Sequence, residues 1–131
     1  RSFSPEIRKL LEDSIRGITQ STAKAFDCEV EIDWQPGYPP TVNHADESSR
    51  AVFVASDVLG AENVITDLPP SMGAEDFAFM LGKKPGSYIW LGAGPAKEGA
   101  MLHNDRYDFN DDVLATGASY WARLVESELP K

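Results

Sequence analysis

A proline- and glycine-rich break at residues 35–41 restricts the fold of this chain more than any other feature. Its sequence, Gln-Pro-Gly-Tyr-Pro-Pro-Thr, places three prolines and one glycine within seven residues. Because proline lacks a backbone N–H and fixes φ, neither a helix nor a central strand can continue through such a segment. The chain must therefore be organised on either side of it, and we predict that this break is the boundary between two modules.

The module before the break is predicted to contain one long helix and one strand. Ser4 can cap a helix, and Pro5 suits its first helical position. Apolar residues then recur at helical spacing, which predicts an amphipathic helix over residues 5–26. Over residues 28–34 apolar and acidic residues alternate, the pattern of a half-buried strand. One helix and one strand do not form a stable layer, so this strand needs neighbours.

After the break, predicted helices and strands alternate. Asn43 can cap the first of these helices, Gly60 can end it, and Asp111 suits the start of the last one. We predict helices over residues 45–59, 74–81 and from 111 onward, with strands over residues 63–66 and 87–92. Alternating elements of this kind are typical of an α/β fold. Gly117 in the last helix would allow a close neighbour.

Composition excludes several classes of partner. The chain has 131 residues, with 12 basic and 21 acidic residues, for a net charge of -9. A field of that sign repels nucleic acids and anionic membrane surfaces. No apolar run approaches the roughly 20 residues that span a bilayer. The single cysteine, Cys28, excludes an internal disulfide and favours a cytoplasmic location. Its acidic flanks predict a packed thiol and not a nucleophile.

The two histidines are the first candidates for chemistry. His103 follows a glycine-rich loop, residues 93–99, and precedes the last predicted helix. It could be a metal ligand, because neutral imidazole is the commonest such group, or a loop imidazole bonded to a nearby carboxylate. On chemistry alone the second alternative is favoured. His44 lies beside Asp46 and Glu47 at a helix start, and we expect it to face solvent.

A pair of carboxylates forms the second candidate site. Glu75 and Asp76 follow Gly73 at the start of a predicted helix. Acidic residues at that position usually complement the helix dipole. The glycine also permits close backbone approach to a ligand, which leaves a binding role open. Serines lack a nucleophile-elbow pattern, and Gly92-Ala93-Gly94 is too short for a dinucleotide loop.

Four segments, taken in order, resemble one family. They are Gly-Tyr-Pro-Pro-Thr-Val-Asn at 37–43, Met-Gly-Ala-Glu-Asp-Phe at 72–77, Leu-His at 102–103 with Tyr-Asp-Phe-Asn-Asp at 107–111, and Gly-Ala-Ser-Tyr-Trp at 117–121. Together they resemble the C-terminal third of the metal-dependent amidohydrolases, which include hippurate hydrolases, N-acyl-amino-acid amidohydrolases and auxin-conjugate hydrolases. The resemblance covers essentially the whole chain.

This resemblance implies an α/β fold that forms part of a two-domain metallo-amidohydrolase. Residues 1–40 would be the closing helix and strand of an α+β lid, through which relatives often dimerise. Residues 43–131 would be the C-terminal part of the α/β catalytic domain. The implied reaction is hydrolysis of the amide bond of a small N-acyl amino acid by a metal-activated water. The implied cofactors are divalent ions (zinc, manganese, cobalt or nickel), and the implied assembly is a homo-oligomer.

The resemblance also implies roles for individual residues. His103 matches the last metal ligand, while Gly73, Glu75 and Asp76 match a loop near the substrate. The family's other ligands precede the lid and have no counterpart here, and Cys28 does not match any of them. Because a catalytic metal site needs about three protein ligands, no catalytic residue is assigned and the isolated chain is predicted to be inactive.

Three interpretations remain open at this point. The first is that the chain is a fragment of such an amidohydrolase. The second is a short, non-catalytic binding or dimerisation module with the same fold. The third is a small enzyme whose metal site forms between two chains, each contributing His103.

Overall fold

The computed structural model describes residues 1–94 and 101–129. The chain forms two compact units, each built from two segments. Unit 1 contains Arg1–Asn43 and Pro69–Gly86, and unit 2 contains His44–Leu68 and Ser87–Lys131. The α-helices are α1 (Pro5–Ala25), α2 (Ala45–Leu59), α3 (Phe77–Leu81) and α4 (Leu114–Glu128). Short 3-10 helices at Ala61–Asn63 and Asp111–Val113 follow α2 and precede α4.

Helix α1 of unit 1 confirms the predicted first helix to within one residue. The Ser4 hydroxyl oxygen accepts a hydrogen bond from the Ile7 amide at 3.2 Å, which caps the helix. The same hydroxyl donates to the Glu6 carboxylate at 2.5 Å, and this bond is the main reason that the pKa of Glu6 lies below its ordinary value. At the other end, the amide of Cys28 donates to the carbonyl of Ala23.

The apolar stripe of α1 is exposed along its whole length. It consists of Ile7, Leu10, Leu11, Ile15 and Ile18, which we call the α1 apolar face. The exposed fractions of these side chains run from 41% for Leu11 to 66% for Ile18, and no residue of α1 is buried. The spacing that predicted an amphipathic helix is therefore present, while the described residues of unit 1 leave its apolar side uncovered.

The Arg8 side chain ties the Pro-rich break to α1. The Arg8 guanidinium donates to the carbonyl of Gly37 at 2.9 Å and also to that of Tyr38. The Tyr38 ring meets Phe79 edge-to-face, with 5.6 Å between ring centroids. The buried residues of unit 1, Ala78 and Leu81, lie on α3. The break therefore makes polar contacts to α1 through Arg8 and an apolar contact to α3 through Tyr38.

Unit 2 is built on an antiparallel helix pair. Arg50 near the start of α2 pairs with Glu128 at the end of α4 at 3.3 Å, and Asp57 later in α2 pairs with Arg123 at 2.6 Å. The partner of the earlier α2 residue thus lies later in α4, and the partner of the later α2 residue lies earlier in α4, so the two helices run in opposite directions. Because all four side chains are well exposed, these ion pairs orient the helices more than they stabilise them.

The buried residues of unit 2 among the described ones are Ala51, Val54 and Tyr120. Val54 is 2% exposed and Tyr120 is 7% exposed. Burial raises the pKa of the Tyr120 hydroxyl above its ordinary value, because the phenolate would lose solvation.

A methyl group added at Gly117 would lie 3.3 Å from a Leu91 side-chain carbon. The predicted close approach at Gly117 is therefore confirmed.

The predicted strands at residues 28–34, 63–66 and 87–92 are not found among the described residues. Residue 63 ends a 3-10 helix, and the rest of these segments have no regular structure. A strand is defined by backbone hydrogen bonds to a neighbour, so alternating side chains alone cannot create one. The structure consequently gives no support of its own to the α/β class.

Three local predictions are also wrong. Helix α3 begins at Phe77 and not at residue 74. The N-cap of α2 is His44 and not Asn43, because the first helical bond runs from the Ser48 amide to the His44 carbonyl. Cys28 is an exposed thiol rather than a packed one. By contrast, Gly60 ends α2 as predicted, with φ of 84°.

None of the helices in the described part of the chain combines the length and the apolar character needed to cross a bilayer.

Candidate functional site

His103 lies in unit 2, on a pair of consecutive turns. The Asn104 amide donates to the Met101 carbonyl at 3.2 Å, which closes a turn around Leu102 and His103. The Tyr107 amide donates to the Asn104 carbonyl at 3.0 Å, which closes the next turn. His103 has φ of 66°, in the left-handed region that L-residues seldom adopt. Its position in the first turn is one that requires such a φ in a type II turn.

The His103 imidazole is presented to solvent. The residue is exposed, and its ring makes no hydrogen bond or ion pair with residues 1–94 or 101–129. The alternative of an imidazole bonded to a nearby carboxylate is therefore not found within these ranges. The glycine-rich loop predicted before His103 lies mostly outside the described residues, at positions 95–99. What the structure provides is a ring whose nitrogens are not engaged by the described residues.

Gly73, Glu75 and Asp76 lie in unit 1, just before α3. The Gly73 amide donates to the Ser71 hydroxyl at 3.2 Å, which holds the preceding turn. The half-buried Glu75 accepts from the Phe77 amide at 3.2 Å through its carboxylate, so it satisfies a free N–H at the helix start. Asp76 is exposed and its side chain makes no capping bond.

These contacts separate the roles of the two carboxylates. Glu75 performs the helix-opening function that the sequence suggested for both residues. Asp76 leaves its carboxylate in solvent. The three predicted substrate-loop residues are thus brought together in unit 1, whereas His103 belongs to unit 2.

A catalytic metal centre requires more ligands than the described residues bring together. Within residues 1–94 and 101–129, no group of three or more His, Cys, Asp or Glu side chains is placed to hold one ion. Catalytic zinc sites use about three protein ligands and a water. His103 fits one ligand position by its exposure and its chemistry, and the described residues do not complete the set. His44 is half-buried at the N-cap of α2 and joins no such group.

A shallow cavity of about 240 Å³ in unit 1 is lined by Pro5, Arg8, Lys9, Glu12, Pro39 and Pro40. Arg8 is committed to two backbone carbonyls. Lys9 pairs with Asp13, and Glu12 pairs with Arg16 at 2.9 Å. Its charged lining is thus engaged within the unit, and we assign the cavity no chemical role.

Asn104 is the residue at this site that sequence reasoning missed. It participates in both turns through its backbone, and its side-chain oxygen also accepts from the Arg106 amide at 2.9 Å. The signal was present in the sequence. Asn followed by Asp is typical of turns, because an Asn side chain can bond the backbone two residues further on.

Comparison with known proteins assigns the chain to a family. The model of peptidase family M20/M25/M40 matches residues 4–127. The chain is 36% identical over 125 residues to hippurate hydrolase of Campylobacter jejuni. The aligned residues cover 95% of this chain and 32% of that protein. It is 28% identical over 133 residues to N-acetyldiaminopimelate deacetylase of Pediococcus pentosaceus, covering 100% of this chain and 33% of the relative.

A third relative, thermostable carboxypeptidase 1 of Saccharolobus solfataricus, is 29% identical over 128 residues, which cover 95% of this chain and 32% of the carboxypeptidase. The chain therefore spans about a third of the length of these curated relatives. No solved structure matches it significantly. With a family model that matches nearly the whole sequence, the chain belongs to peptidase family M20/M25/M40.

Proposed function

We propose that this chain is part of a hydrolase that cleaves the amide bond of a small N-acyl amino acid, and that His103 supplies one ligand of its divalent metal site. The family match over residues 4–127 carries the proposal. It is supported by the names of the relatives, which are a hippurate hydrolase, a deacetylase and a carboxypeptidase. The exposed imidazole of His103 provides the chemistry that a borderline metal such as zinc prefers.

The proposed domains follow the resemblance. Residues 1–40 would belong to a lid and residues 43–131 to an α/β catalytic domain. In that arrangement the segments 28–34 and 87–92 would pair with strands contributed by other parts of a longer polypeptide. Support comes from their exposed apolar side chains: Val30 is 41% exposed and Trp90 is 63% exposed. Such side chains are typical of a surface that packs against a neighbour.

For the substrate, we propose that the loop containing Gly73 and Asp76 lines the binding pocket. Asp76 is the better candidate of the two carboxylates, because Glu75 is already bonded to the start of α3. We propose that the substrate carries a hippurate-like acyl group, because hippurate hydrolase has the highest identity of the three relatives described above.

The first test compares two polypeptides. The 131-residue chain, incubated with zinc or manganese, should hydrolyse neither hippurate nor acetyl-amino acids, because its described residues supply too few ligands for a site. A polypeptide that includes this chain and has the length of its relatives, here called the extended polypeptide, should hydrolyse one of them. Hydrolysis by the short chain would contradict the proposal and favour a site assembled between two copies. Inactivity of both would favour a non-catalytic module.

We also propose that the chain forms homo-oligomers in the cytoplasm. Covering the α1 apolar face, which is at least 41% exposed at every position, would remove a large apolar patch from water. The free thiol of Cys28 suits a reducing compartment. Light scattering of the 131-residue chain should therefore give a mass above that of a monomer.

Two lysine substitutions on α1 locate the contact between copies. Ile15→Lys places a charge within the α1 apolar face and should shift the mass toward that of a monomer. Gln20→Lys adds the same charge at an exposed polar position of the same helix, so it should leave the mass unchanged. A monomeric mass for the unaltered chain at all concentrations would contradict the proposal.

A further inference from the structure

The backbone of His103 is held in an unfavourable conformation by its surroundings. Only two non-glycine residues among those described have positive φ: Asp27 at 53° and His103 at 66°. Asp27 follows the end of α1, where left-handed residues commonly end helices. His103 ends no helix, so its conformation needs a different cause.

The His103 side chain does not supply that cause. Its ring contacts solvent and forms no hydrogen bond with the described residues. Histidine also lacks the small size that lets glycine adopt positive φ freely. Among the described residues, the interactions that offset this cost are the hydrogen bonds of the two turns, the first of which contains His103 while the second follows it.

Asn104 makes three of those bonds. Its amide donates to Met101, its carbonyl accepts from Tyr107, and its side-chain oxygen accepts from the Arg106 amide. The last bond uses the Asn104 side chain alone. It supports the second turn, and the Asn104 backbone takes part in the closing bonds of both turns.

We propose that Asn104 is a positioning residue that holds His103 in the left-handed conformation and so sets the direction in which its imidazole is presented. This inference deepens the proposed function, since a metal ligand has to be oriented by its supporting residues. Its structural content concerns the backbone of residues 101–107 and the Asn104 side chain, and it does not depend on a bound ion.

The test uses nuclear magnetic resonance on the 131-residue chain without metal. A positive φ brings the amide and α protons of one residue close together, so His103 should show a strong intraresidue cross-peak between them. Asn104→Ala removes one hydrogen bond, and the ratio of left-handed to other conformers should fall about fivefold. Asn104→Asp keeps the acceptor oxygen and should restore the strong peak.

Two controls keep the result interpretable. Asn63→Ala removes another side-chain bond to backbone, from Asn63 to the Leu59 carbonyl at 2.9 Å, and should leave the His103 peak unchanged. Far-UV circular dichroism should show the same helix content in every variant. An Asn104→Ala peak as intense as that of the unaltered chain, an Asn104→Asp peak as reduced as that of Asn104→Ala, or a weak peak in the unaltered chain would each overturn the inference. Because no hydrolysis is measured, the inference and the proposed function can fail separately.

Discussion

Replacing His103 with asparagine in the extended polypeptide should lower the rate of amide hydrolysis by about 100-fold or more. Loss of a residue that only supports a metal ligand costs about 10- to 100-fold, so removal of the ligand itself should reach at least the upper end of that range. Asparagine is chosen because it tolerates positive φ, so the turn at residue 103 is kept while the imidazole is lost. The rate should be measured at saturating zinc or manganese.

His44→Asn is the matched control for this prediction, because His44 is the other histidine of the chain. It lies at the N-cap of α2, where asparagine is a favourable residue, and it belongs to no metal-binding group among the described residues. Its rate should stay close to that of the unaltered protein. Equal losses in the two variants would show that the effect is not specific to His103.

Truncating Tyr120 to alanine should lower the free energy of unfolding of unit 2 by about 3–5 kcal/mol, the usual cost of removing a large buried aromatic side chain. The effect should be large because Tyr120 is the largest of the three buried residues, alongside Ala51 and Val54, that lie on α2 and α4. Its ring also packs edge-to-face on Trp121, with 5.5 Å between centroids. Urea unfolding followed by circular dichroism measures the change.

Phe53→Ala provides the comparison for Tyr120→Ala. It removes an aromatic ring from the other helix of the same pair, and this ring is 68% exposed. Little buried surface is lost there, so the free energy of unfolding should change by less than about 1 kcal/mol. If the two substitutions had equal effects, Tyr120 would not be the centre of this packing.

The helices could be predicted because their determinants are local. Ser4 and Gly60 fix the start of α1 and the end of α2 through bonds within a few residues. The strands could not be predicted in the same way. Segment 87–92 has the apolar composition of a strand, yet a strand requires a partner that lies far away in sequence. The local pattern thus identified an apolar segment without determining whether it pairs.

For the candidate site, too, residue type predicted some features and the structure was needed for others. Chemistry alone favoured a bonded loop imidazole for His103, and only its place among four ordered motifs favoured a metal ligand. The structure adds the exposure of the ring and the positive φ, neither of which the residue type implies. For Glu75 and Asp76, the sequence offered the same two roles to both. The structure distinguishes them, because Glu75 is half-buried and accepts from the Phe77 amide whereas Asp76 is exposed.

The central claim is that His103 is one ligand of a metal site completed by residues outside the described set. A crystal structure of the extended polypeptide loaded with zinc, with the ion located by anomalous scattering, tests it most directly. We expect one nitrogen of the His103 ring at about 2.0–2.1 Å from the ion, the usual zinc–imidazole distance. An occupied zinc site with a full set of protein ligands and His103 remote from the ion would contradict the claim.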